Sequence, residues 1–177
     1  MSLIVEDGTG LLTSESYATV ASTVAYAATR GLEFDGPDDD TEAALRRATT
    51  WIDARYRSGF TGYRVNRRNQ ALEWPRHDAY DANDNYVAYN ALPQEIVRAT
   101  QEAAIRELAE PGSLSPDLTV GQTMKRVKVG PIEIDYDSSS AAYDNRPIST
   151  VIDDILSTLL SYPSGSGGRI AGTSERS

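Results

Sequence analysis

Cysteine is missing from all 177 residues, which excludes disulfides, thiolate zinc sites and cysteine nucleophiles together. Histidine is almost missing as well. His77 stands alone, so any metal site would have to rest on carboxylates. No apolar run approaches the ~18 residues of a membrane-spanning helix. The start, "MSLIVEDGTG", lacks the basic residues and long apolar stretch of a secretory signal, so the expected location is the cytoplasm. Positive charge is in short supply too. With 17 basic against 26 acidic residues the net charge is −9, which argues against a protein whose whole surface grips nucleic acid. No glycine-rich segment leads into the Lys-Ser/Thr of a phosphate loop. No internal repeat occurs.

What the chain does have is an ordinary globular balance, 40% hydrophobic and 24% charged, and enough length for one domain with a real core. Its charge is unevenly spread. Eight of the 17 basic residues are arginines between Arg46 and Arg76, namely Arg46, Arg47, Arg55, Arg57, Arg64, Arg67, Arg68 and Arg76. The same stretch holds only two of the 26 acids, Asp53 and Glu73. The middle is basic and the flanks are acidic.

Periodicity divides the chain into a mainly α fold, a small four-helix bundle with insertions. Residues 1–162 form the domain and 163–177 a tail. The apolar start reads as an extended edge segment ending at Gly8 or Gly10. Thr19 caps a first helix over Val20 to Arg30, with Val20, Val24 and Ala28 on one face and Gly31 closing it. Asp39 or Asp40 caps a second helix to about Arg57, in which Leu45, Ala48, Ile52 and Tyr56 recur at helical spacing. Gly59 to Asn90 then reads as a long irregular connection, and a loop of that length in a compact domain is usually functional. Pro93 opens a third helix to about Ala109. Its apolar residues surround much of the cylinder, so it belongs at the centre. About residues 124–136 the period changes to two around Gly130-Pro131, which predicts a β-hairpin. A fourth helix, Ile148 to Ser161, carries Ile148, Val151, Ile152, Ile155, Leu156, Leu159 and Leu160 as its stripe, leaving Asp153 and Asp154 to solvent. The glycine- and serine-rich tail has the composition of a flexible linker.

Few constellations carry chemistry. "DANDNY" (Asp81–Tyr86) has oxygen ligands at the first, third and fifth positions of a calcium loop. It places Tyr86 where glycine is required and Leu92 where glutamate is required, so Asx turns are the better account. Asp38, Asp39 and Asp40 fit the start of a helix, where carboxylates meet the dipole. No catalytic, cofactor or metal residues stand out, and the expectation is a protein that is not an enzyme. The informative cluster is the arginines with Tyr56, Phe60, Tyr63 and Trp74. Cations interleaved with aromatics suit single-stranded nucleic acid, where bases stack and phosphates pair. The same residue types mark protein interfaces. In that reading Arg46, Arg55, Arg57, Arg64, Arg67 and Arg68 meet carboxylates of a neighbouring copy, head to tail. A merely solvated arginine-rich loop is the plain alternative.

Five segments in order, "LTSESYATV", "ALRRATTWIDARY", "QALEWPR", "LPQEIVRATQEAAIREL" and "MKRVKVGPIEIDY", resemble a tailed-phage family of head–tail connector (adaptor) proteins. Members of that family also carry the description DnaT-like single-stranded DNA-binding. The resemblance runs from about Leu3 to Leu160. It implies small helical bundles with a hairpin, and a ring of about twelve copies beneath the portal, completing the DNA-filled head. Its implied partners are further copies, the portal protein and a tail-completion or tail-terminator protein, with packaged DNA passing through unbound. Its location would be the virion neck, after assembly from the host cytoplasm. Trp74 and Pro75 would anchor a loop end, Arg76 would begin a surface that meets another subunit, and Arg169 and Ile170 in the tail would reach the portal. The alternative is a single-stranded DNA-binding protein of phage replication.

Overall fold

The structure, a computed structural model, describes residues 2–115, 126–129, 132–135 and 150–161. These residues form four α-helices and three two-stranded antiparallel sheets: α1 (Val20–Ala28), α2 (Asp38–Tyr56), α3 (Gln94–Ala109), α4 (Thr150–Leu156), and strands β1 (Tyr63–Arg64), β2 (Arg76–His77), β3 (Ala79–Tyr80), β4 (Tyr86–Val87), β5 (Arg126–Val129) and β6 (Ile132–Asp135). The chain is therefore mainly helical with small hairpins. None of the helices is long and apolar enough, among the described residues, to cross a membrane.

α3 is the hub, in contact with α1, α2 and α4. Alanines explain how. Ala44 and Ala48 of α2 and Ala99, Ala103 and Ala104 of α3 are fully buried, and small side chains let two helix axes come close while Leu45, Ile52, Ile96, Ile152 and Leu156 fill the space around them. Polar groups on α3 are paired rather than left bare. Buried Glu107 takes Arg47 Nε at 2.7 Å and the Gly112 amide at 2.8 Å, and Glu102 takes the Tyr26 hydroxyl.

Helix boundaries follow the local chemistry, with corrections to the sequence reading. Thr19 makes a reciprocal capping box with Ser22. α1 ends at Ala28, and Gly31 in the left-handed region turns the chain so that Leu32 N bonds Ala27 O. Its buried face is Thr23 and Ala27, whereas Val24 is exposed, because the helix needs only a narrow seam against α3. The α2 cap is Pro37 rather than the expected Asp39 or Asp40, so the helix starts two or three residues early, with no side-chain cap and with Asp38, Asp39 and Asp40 in its first turn. In α4, Val151 is exposed while Ile152 and Leu156 are buried. Asp153, expected in solvent, instead takes the Tyr56 hydroxyl at 2.5 Å. The hairpin pairs Val129 with Ile132 and Arg126 with Asp135. Residues 136–149 and the tail with Arg169 and Ile170 lie outside the described residues.

The N-terminal segment wraps around one carboxylate. Glu6 is buried and accepts from the amides of Gly8, Gly10 and Leu11 and from Ser14 Oγ, at 2.8–3.1 Å. Gly8 and Gly10 both take positive φ, which turns successive N–H groups inward to the anion. The loop so made is fixed to the arginine-rich segment, where Asn66 Nδ2 donates to Thr9 O and Gly10 O, and Ala71 N to Leu11 O.

Candidate nucleic-acid interface

Gly59 to Asn90 is less irregular than its composition suggests. β1 pairs with β2 and β3 with β4, and a short 3-10 turn, Arg67–Asn69, lies between β1 and β2. Gly62 (φ 67) lets the strands meet, since a Cβ there would collide with the His77 carbonyl. Gln70 replaces missing backbone partners: its Nε2 donates to Leu72 O and Pro75 O, and its Oε1 accepts from Asn66 N.

The Trp-Pro-Arg corner is interior. Trp74 is 1% exposed and Pro75 is equally buried, with the indole edge-on to Phe60 at 5.6 Å. Its backbone is held from two sides. Trp74 N donates to Tyr17 Oη (3.1 Å), the Tyr17 hydroxyl donates to Asp53 (2.7 Å), and Asp53 takes the Glu73 amide (3.0 Å). Burial pushes the Asp53 carboxyl up to about 7, against the opposing pull of the Tyr17 and Glu73 hydrogen bonds. Burial, with Asp53 beside it, raises the Tyr17 phenol well above its usual value. Arg76 does not begin an outer surface as the resemblance implied. It is 7% exposed, and its guanidinium donates to Thr61 O, Gly62 O, Glu73 O and Glu73 Oε2. Four carbonyl and carboxylate oxygens at the end of an uncapped strand pair draw the cation inward.

The other arginines divide into two groups. Arg46 pairs with Glu15 and Glu42, both at 3.0 Å. Arg47 pairs with Glu107. Arg55 lies 3.8 Å from Asp153 and beside the rings of Trp51 and Tyr56. Arg64 donates to Gln70 O at 3.2 Å. Arg57, Arg67 and Arg68 are exposed and form no ion pair among the described residues. The sequence-selected aromatics divide as well: Tyr56, Phe60 and Trp74 are core, and only Tyr63 faces out.

Tyr63 is one step of a ladder that the sequence reading did not find. Directly opposed residues share a face of an antiparallel pair, so the β1–β2 register puts Tyr63 beside His77 and turns Arg64 and Arg76 to the other side. The Arg67 guanidinium lies over Tyr63, 4.0 Å from its centroid. The Tyr63 and His77 rings are 5.7 Å apart, and His77 stacks on Tyr89 at 4.8 Å and 27°. In the next hairpin Tyr80 opposes Tyr86, edge to face at 5.8 Å. Tyr63, Tyr80, Tyr86 and Tyr89 are each 38–52% exposed. His77, the only histidine in the sequence, sits between two rings.

The turn that carries Tyr80 and Tyr86 is an Asx turn: Asp81 Oδ1 takes the amides of Asn83 and Asn85. Those bonds hold the Asp81 carboxyl below its ordinary value, the Asn85 side chain first. No cluster of three or more His, Asp and Glu suited to a metal occurs among the described residues. A family model described as "Putative DnaT-like ssDNA binding protein" matches residues 1–177. The chain belongs to that family. No curated protein and no solved structure matches it. Within this DnaT-like chain, the exposed rings with Arg67 and Arg68 are the arrangement best suited to a ligand of stacked bases and phosphates.

Proposed function

We propose that the protein binds single-stranded DNA along the Arg67–Tyr63–His77–Tyr89 face, without catalysis and without a cofactor. The observation that supports this most is the ladder itself. Four cationic or aromatic groups, from three separate stretches of chain, form one row of contacts in which Tyr63 and Tyr89 are exposed. A base has a π-face whatever its identity, so such a row binds with little sequence preference. Arg67 and Arg68 supply cations for phosphates, and the counterions that such contacts release make the affinity fall with salt. The family description agrees with this reading. The test is fluorescence anisotropy with a labelled oligothymidylate at about 50 mM and about 200 mM salt. Saturable binding that weakens with salt is expected; an oligomer that stays free at the lower salt refutes the proposal.

A second reading has an observation of its own. Arg46, Arg47, Arg55 and Arg76 each pair with a carboxylate of the same chain, and the chain as a whole carries a net charge of −9. An acidic ring lets a duplex pass without sticking, as a head–tail connector between portal and tail requires. Arg57, Arg64, Arg67 and Arg68 would then meet carboxylates of a neighbouring copy rather than phosphates. Light scattering and negative-stain imaging of the purified protein separate the two: a closed ring of copies favours the connector, and a monomer that binds oligomers favours the first reading.

A further inference from the structure

Next to the ladder lies a cavity of about 440 Å³, lined by Thr61, Tyr80, Asp81, Asp84, Leu160 and Ser161 among others. Three chain segments enclose it and are bonded to one another. Thr61 Oγ1 donates to Tyr80 O and accepts from Tyr80 N. Ala82 N bonds Thr158 O, Ser161 N bonds Gly59 O, and Phe60 bridges to Leu160. The walls are thus fixed relative to the ladder, which begins at Tyr63 on the same run of chain.

The wall chemistry is uneven. Tyr80 offers an exposed ring and Leu160 an apolar side. Asp81 is already occupied, its oxygens taken by Asn83 and by the amide and side chain of Asn85. Asp84 differs. It is exposed at the rim of the cavity, its backbone is held in the left-handed region (φ 60) by Asp84 N to Asp81 O, and its carboxylate has no partner among the described residues. The cavity therefore combines a stacking ring, an apolar side and a carboxylate with open lone pairs. It lacks a cation to receive phosphate.

We propose that this cavity receives one base of the bound strand and selects guanine through Asp84, an inference that rests on the strand-binding reading of the adjoining ladder. An ionised carboxylate only accepts hydrogen bonds. Guanine presents two neighbouring donors on its Watson–Crick edge, the ring N1–H and the 2-amino group, and so matches both carboxylate oxygens. Thymine presents a single N–H flanked by two carbonyl oxygens, which the carboxylate repels. Unstacked bases are read in this way, with the ring against an aromatic side chain and the edge against a polar group.

The experiment compares short labelled oligothymidylates that differ at one central position: thymine, guanine, or hypoxanthine, which lacks the 2-amino group. The guanine oligomer binds about tenfold tighter than the all-thymine one, as a good pair of base-edge hydrogen bonds provides, and hypoxanthine loses most of that gain. Asp84→Asn, a residue equally at home at positive φ, brings the guanine oligomer down to the level of thymine. Equal binding of all three oligomers to the native protein overturns the guanine pocket while leaving the ladder standing. A guanine preference that survives Asp84→Asn overturns the role of Asp84. Failure of every oligomer to bind removes the ladder reading and the pocket with it.

Discussion

Gly59 to Asn90 contains two aromatic groups with opposite fates. Around residues 70–76 the chain turns inward: Trp74 and Pro75 are sealed in the core, Gln70 and Arg76 spend their donors on carbonyls, and Tyr17 and Asp53 tie down the backbone. Around residues 63, 77 and 89 the tyrosines turn outward, His77 stacking on Tyr89 and lying tilted against Tyr63. Both groups combine an aromatic ring with arginine, so residue type does not separate them. What separates them is the partner available. Arg76 meets four oxygens of its own chain, whereas Arg67, among the described residues, meets only the ring of Tyr63. An arginine-rich stretch in a small acidic domain is therefore partly internal glue and partly open surface.

The contrast breaks most sharply at the two kinds of ring. Trp74→Ala removes a fully buried indole and is expected to cost ~3–5 kcal/mol in denaturant unfolding. Tyr89→Ala should stay within ~0.5 kcal/mol of the native protein, as exposed substitutions do. A Trp74 variant as stable as the native protein would show that the inward group is not core. In binding the order reverses. Tyr63→Ala and Tyr89→Ala are each expected to weaken oligothymidylate binding by ~1–3 kcal/mol, read by anisotropy, with melting preserved. Variants that bind at full strength would place the strand elsewhere.

Asp53 sharpens the inward side through pH. Its carboxyl is raised from 3.8 to about 7 in the fold, so the folded protein keeps a proton that the unfolded chain releases. Its contribution to stability is full below the unfolded value and is lost as the pH rises towards about 7. Urea midpoints at about pH 4.5 and about pH 7.5 should therefore differ less in Asp53→Asn than in the native protein. An unchanged difference would mean that Asp53 ionises freely.

The smallest effect concerns the outward cations. Arg68→Ala is expected to reduce the salt slope of strand binding by about 0.7, while Arg46→Ala, which removes a group paired with Glu15 and Glu42, leaves the slope as it was. Equal loss from both would erase the division between spent and open arginines.

Periodicity and caps made much of the frame legible: the Thr19 cap, the buried Leu45–Ala48–Ile52–Tyr56 face, the central α3, the hairpin around Gly130-Pro131 and the Asx turn at Asp81. Each depends on residues close in sequence, so one-dimensional spacing carries the information. The burial of Trp74 has a related reason, since a large indole beside a rigid proline has few stable places outside a core. The ladder was not. Tyr63, His77 and Tyr89 meet only because a two-residue strand pair sets Tyr63 opposite His77 and a second turn returns the chain to Tyr89. The fates of the arginines were equally hidden, because a guanidinium becomes spent or open according to which distant oxygen lies within ~3 Å. Local spacing determined the helices and turns; which rings and cations face the solvent was decided by contacts between residues far apart in the chain, and those exist only once the fold has formed.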